Sequence, residues 1–137
     1  MIFDVVGGVV MVGGKALRGG SSFDDTVAEG FAYERVVDMK TGWVFRTSSR
    51  DLLGTHAVTP ALGFLNDQLK RVSVTFLDDE TGLQRPLAER HRDFLLQELG
   101  VPSKTTAAQT LYEYPWGQIA AEQDIRSDTS YIIVTWK

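Results

Sequence analysis

Residues 111–137 read Leu-Tyr-Glu-Tyr-Pro-Trp-Gly-Gln-Ile, then Ala-Ala-Glu-Gln-Asp-Ile-Arg-Ser-Asp-Thr-Ser, then Tyr-Ile-Ile-Val-Thr-Trp-Lys. Two apolar runs rich in aromatic and β-branched residues flank a polar link, which predicts a β-hairpin with a long connection. Strand alternation puts Tyr112, Tyr114 and Trp116 on one face of the first strand and Ile132, Val134 and Trp136 on one face of the second. One aromatic-rich face is therefore expected to be buried.

Upstream of this hairpin the chain is punctuated by breakers. Gly7-Gly8, Gly13-Gly14 and Gly19-Gly20 separate short runs and predict a glycine-turn meander. A phosphate loop does not fit, because Ala16 stands where Ser or Thr is needed and Val9 where Gly is needed. Ser21-Ser22 followed by Asp24 and Asp25 marks the start of a short helix over 23–31, with Phe23, Val27 and Phe31 as its apolar stripe. Runs 33–39 and 43–48 flank Lys40-Thr41-Gly42 and predict a second hairpin. Two more strands are expected at 55–64 and 69–77, the former disturbed by Pro60. Val72, Val74 and Phe76 should point inward, with Leu69 on the opposite face. After an acidic turn at 78–82, Pro86 opens a helix over 86–99 with the stripe Leu87, Phe94, Leu95 and Leu99. Gly100 and Pro102 end it.

Strands, helix, strands, helix, strands, with turns short enough for antiparallel neighbours, define an α+β domain spanning 1–137. The expected architecture is a mostly antiparallel sheet with two helices packed on one face and the other face open to a partner.

The chain of 137 residues is long enough for one sizeable core, and its 43% hydrophobic content lies in the globular range. With no cysteine, thiolate catalysis, disulfides and cysteine-ligated zinc are excluded. The formal charge of −4 without a basic block makes nucleic acid a poor partner. No run approaches the ~20 apolar residues of a membrane helix, and the N-terminus has no basic start followed by a long apolar core. A cytoplasmic location without membrane association is the expectation.

Catalytic signals are sparse. His91 falls beside the apolar stripe of the second helix and reads as a core imidazole; His56 reads as a surface residue. No serine has a nucleophile-elbow context. Asp78, Asp79 and Glu80 lack calcium-loop spacing. An acid pair drawn from Glu113, Glu122 and Asp124 has no spacing that favours it. No catalytic residue, metal or cofactor is expected. The most suggestive polar run is Asp124-Ile-Arg-Ser-Asp-Thr-Ser130, whose side chains suit turn-building. Its functional reading is an exposed loop beside Trp116, with Asp124, Arg126, Ser127, Asp128 and Trp116 meeting a protein partner.

The pattern Tyr114-Pro115-Trp116-Gly117-x-Ile119, Asp124-x-Arg126-Ser127, Ser130-x-Ile132-x-Val134 resembles the closing hairpin of small bacterial α+β proteins, some of which resemble immunity proteins. The likeness covers the last quarter of the chain, rests on fold-forming residues, and carries over no catalytic residues. It implies a non-catalytic module that binds another protein, in its sharpest form a cognate toxin. The acidic balance suits a basic partner. Two other readings stand beside it. One is a small hydrolase using carboxylates and His91; the other is a ligand-binding or structural accessory domain, with a homodimer formed through an edge strand.

Overall fold

The computed structural model describes residues 1–77 and 85–137; the acidic turn expected at 78–82 lies outside them. The chain begins with the glycine meander. Strands β1 (Ile2–Asp4), β2 (Val9–Val12) and β3 (Lys15–Arg18) form an antiparallel three-stranded sheet. Gly13 and Gly14 turn β2 into β3 at φ 57° and 77°, values that glycine reaches without a Cβ clash.

Helix α1 (Phe23–Ala28) is shorter than expected. Its start is a capping box: the Asp25 amide donates to Ser22 Oγ at 3.0 Å and the Ser22 amide to Asp25 Oδ2 at 2.9 Å. The predicted stripe is wrong in its middle member. Val27 is 47% exposed, and Thr26 takes the buried position, where its hydroxyl accepts from Tyr33 Oη at 2.6 Å and donates to the Phe23 carbonyl at 2.7 Å. Phe31 is buried, beyond the helix end.

Strands β4 (Tyr33–Asp38) and β5 (Trp43–Ser48) make the predicted hairpin. A small hairpin of β6 (Asp51–Leu53) and β7 (His56–Val58) follows, closed at its base by the Ser48 amide on the Pro60 carbonyl at 2.9 Å. The expected strand 55–64 is thus split at Pro60 into β7 and β8 (Ala61–Leu65). Strand β9 (Gln68–Val74) turns back from β8 across Asn66 and Asp67, both at positive φ. Register slips where Phe64 pairs with Leu69 and Gly63 with Arg71. The extra residue is Lys70, and this bulge puts Leu69 on the same buried face as Val72. Strict alternation had placed Leu69 outside.

Helix α2 (Leu87–Leu99) sits between Pro86 and Gly100 as the breakers predict. It leads to β10 (Lys104–Thr105), β11 (Gln109–Tyr114), β12 (Gly117–Asp124) and β13 (Thr129–Trp136). The closing segment is therefore a three-stranded meander and not one long-looped hairpin. The tight turn falls at Pro115-Trp116, and the supposed polar link through Gln123 is strand, paired with β11 and β13. The large sheet runs β10-β11-β12-β13-β9-β8-β5-β4, antiparallel throughout.

Register carries one buried face across this sheet: Ile132 lies opposite Val74 and Ala121, Val134 opposite Val72 and Ile119, and Leu62 opposite Val72. The small sheet supplies Val10, Val12 and Leu17 to the same core. Two indoles fasten it there, Trp136 Nε1 donating to the Gly8 carbonyl at 2.7 Å and Trp116 Nε1 to the Val5 carbonyl at 2.8 Å. A Cβ on Gly8, which sits at φ 66°, would lie 2.6 Å from Trp116 Cγ, so glycine is required for the approach. Trp136→Phe keeps the ring but leaves the Gly8 carbonyl unpaired, a loss of about 1–3 kcal/mol for a buried acceptor. Amide exchange in β1–β3 should accelerate selectively; unchanged protection there would show that the indole bond does not hold the meander.

Candidate functional site

Strands β12 and β13 are joined by residues 125–128, a turn made by the polar side chains that the sequence singled out. The Arg126 amide donates to Asp124 Oδ1 at 3.0 Å, Ser127 and Thr129 hydroxyls meet at 2.8 Å, and Gln123 Nε2 donates to Asp128 Oδ1 at 3.5 Å. Asp128 adopts φ 53°, a conformation that Asp tolerates better than most residues. Asp124 therefore holds the Arg126 backbone, while Asp124, Ile125, Arg126, Ser127 and Asp128 are all exposed. Ile125, at 70% exposure, is the apolar member the sequence reading left out.

Trp116 is not in this group. It lies at the other end of β12, roughly 23 Å away over eight extended residues. There it stacks on Tyr114 with centroids 5.3 Å apart and rings 6° from parallel. Its indole N–H is committed to Val5. The structure thus brings together Asp124, Arg126, Ser127 and Asp128 and separates Trp116 from them.

Two clefts flank the turn, one on each face of the sheet, and share Ala108, Glu122 and Gln123. The outer one is shallow, about 560 Å³, and combines Tyr131, Ile133 and Ile125 with Glu122, Asp124 and Arg126. Gln109 Nε2 donates to Glu122 Oε1 at 2.8 Å and orients that carboxylate. The inner one, about 390 Å³, lies between the first turns of α2 and the strands, with Glu89 and Arg92 on the helix side and Thr110 and Ser130 on the sheet side.

Behind the inner cleft sits His91, fully buried, with both ring nitrogens engaged. The Phe76 amide lies 3.1 Å from Nε2 and Ser130 Oγ 2.8 Å from Nδ1. A backbone N–H can only donate, so Nε2 is the acceptor and the proton of the neutral ring sits on Nδ1. Nδ1–H then donates to Ser130. Burial, reinforced by the charges of Arg90 and His56, lowers the His91 pKa to about 4. A serine nucleophile needs the opposite polarity, an imidazole that accepts the hydroxyl proton and tolerates the charge. This Ser–His contact is built as a structural hydrogen bond. His56, read from sequence as a surface residue, is half-buried, stacked on Phe76 at 4.0 Å. Among the described residues no group of three or more His, Asp or Glu side chains is arranged to hold a metal ion, and no helix is long and apolar enough to cross a membrane.

Of the three carboxylates the sequence offered as an acid pair, Glu113 and Asp124 lie at opposite ends of the β11–β12 ladder, whereas Glu122 and Asp124, two apart on β12, share the outer cleft, where Glu122 is held by Gln109 and Asp124 by the Arg126 amide.

No family model and no curated protein matches the chain. Its fold is similar to that of one chain of a solved structure, "Rhs1-CT in complex with cognate immunity protein RhsI1", with a TM-score of 0.60 at 14% identity, covering 98% of this chain and 86% of that one. The likeness is one of fold across nearly the whole chain.

Proposed function

We propose that this protein is a non-catalytic, immunity-type module that binds and neutralises a toxin domain, in the cytoplasm, without nucleic acid or membrane as partner. The observation that carries the reading is the fold shared over 98% of the chain with a chain from a complex between Rhs1-CT and its cognate immunity protein. The imidazole polarity at His91 supports a binding role over the hydrolase alternative. The net charge of −4 favours a basic toxin surface, with complementarity acting chiefly on association rate.

The contact surface in this reading is the β12–β13 turn with its flanking clefts. Asp124, Arg126, Ser127, Asp128 and the exposed Ile125 form its crest; Trp116, at the opposite end of β12, is not part of it. Both helices covering the buried face of the sheet complete the picture, supported by Ser130 on His91 for α2 and by Arg46 lying 4.0 Å over the Phe23 ring for α1. On the far face Trp43 and Phe45, both half-buried, stack at 5.5 Å.

The test uses the C-terminal domain of the protein encoded directly upstream of this chain. Asp124→Ala combined with Arg126→Ala should weaken binding at least ~10-fold, the loss of about 1.4 kcal/mol, at an unchanged melting temperature. Unchanged affinity in a destabilised variant would show that the run only builds the turn.

A further inference from the structure

The inner cleft carries chemistry that the fold does not use. Thr110 and Ser130, each only 4% exposed, line its sheet side. Among the described residues the Thr110 hydroxyl makes no hydrogen bond. Ser130 Oγ, 2.8 Å from His91 Nδ1, accepts from the imidazole because the Phe76 amide fixes the ring tautomer. Its own O–H hydrogen is therefore left to donate elsewhere. Both hydroxyls border a space of about 390 Å³, within the ~300–1,000 Å³ of sites that receive small groups, so each can turn a hydrogen toward an occupant.

The lining selects the occupant. Ser130 and Thr110 call for an acceptor oxygen. Arg92 is occupied by Asp93, with Nε and Nη2 each 3.2 Å from Oδ1, so it is a weak attractor for an anion. Glu89, on the helix side of the same cleft, makes no ion pair among the described residues; it repels a carboxylate and accepts from an N–H. A group with a carbonyl oxygen at one end and N–H donors at the other satisfies both sides, whereas a carboxylate fails at Glu89 and an ammonium leaves the Ser130 hydrogen unused.

We infer that this cleft is a receptor for a primary carboxamide, the side chain of an asparagine or glutamine on the bound protein. The inference rests on the proposed function for the identity of the partner and on the cleft alone for the chemistry. The experiment therefore has two arms. In the first, the full chain labelled with nitrogen-15 is titrated with N-acetyl-glutamine methylamide, and with the glutamate and lysine analogues as controls. The glutamine probe should shift the amides of Thr110, Gln123 and Ser130, with apparent affinity at least ~5-fold tighter than either control, and Thr110→Val should abolish the difference. Shifts absent from these residues, or equal for the three probes, overturn the assignment. In the second arm, Glu89→Gln and Thr110→Val are tested against the upstream-encoded C-terminal domain. A loss of at least ~5-fold in affinity at unchanged melting temperature supports the cleft as a contact. Wild-type binding by both variants overturns it and leaves the immunity reading standing, and failure of the wild-type chain to bind that domain overturns the immunity reading while the first arm still decides the cleft.

Discussion

Phe64→Ala is expected to be among the most destabilising single substitutions in the chain. Phe64 is fully buried, it lies in β8 opposite Val44 and Leu69, and Arg46 closes over its ring at 5.4 Å. Removing the ring loses its transfer free energy and leaves a cavity beneath a sheet whose hydrogen bonds resist collapse, about 3–5 kcal/mol for Phe→Ala in a core. Against total stabilities of roughly 5–15 kcal/mol for a native domain, that shift is large. A urea midpoint unchanged by the substitution would contradict the placement of the core. Phe94→Ala should cost less. Its ring is half-buried and stands edge-on to Phe76 at 5.7 Å, so solvent can enter the space it leaves.

Acid should destabilise the protein through His91. The folded pKa is lowered from 6.5 to about 4, so between these values the unfolded chain binds a proton that the folded chain refuses. Stability then rises with pH in this window and is lost as pH falls from about 6.5 to about 4. The slope approaches 1.4 kcal/mol per unit and the whole window amounts to about 3 kcal/mol. Protonation would place a hydrogen on Nε2 facing the Phe76 amide, donor against donor, which is the structural form of the same penalty. Arg90 and His56 add to it, since a charged His91 is repelled by both. Denaturation midpoints measured from pH 7 to pH 4 should show this slope in the wild type and lose it in His91→Gln. A flat wild-type profile would mean that His91 is more accessible than its contacts imply.

Elements bounded by residues with a conformational monopoly were readable from sequence. Gly13-Gly14, Lys40-Thr41-Gly42, Pro86 and Gly100 each mark a turn or cap where the structure has one. The Ile132, Val134, Trp136 alternation is buried as expected because β13 is hydrogen-bonded on both sides and its inner face meets the core. Misreadings arose where pairing overrode local preference. Residues 120–123, Ala-Ala-Glu-Gln, have poor strand propensity, and they are strand only because β11 and β13 hold them from either side. Trp116 looks like a strand residue and instead occupies a turn, where its indole reaches back to a carbonyl 111 positions earlier in the chain. The Lys70 bulge shifts Leu69 inward by a register slip that alternation cannot express.

The candidate site divides in the same way. Asp124, Ser127 and Asp128 announce a turn, which Asp124 builds on the Arg126 amide and Ser127 and Asp128 through the Thr129 and Gln123 side chains, so the turn was legible. Its clefts were not. The inner one depends on Thr110, Ser130 and Glu89, which come from β11, β13 and α2, and on His91 bonding across a separation of 39 residues. No local spacing encodes that meeting. An exposed Ile125 among polar neighbours was the one local signal passed over.

Action by binding is tested most simply by a direct titration of the full chain with the C-terminal domain encoded upstream of it. Calorimetry should show a one-to-one complex with a Kd on the order of nanomolar or tighter, and co-expression should restore growth to cells producing that domain. A folded chain that gives no heat of binding and no protection would contradict the account.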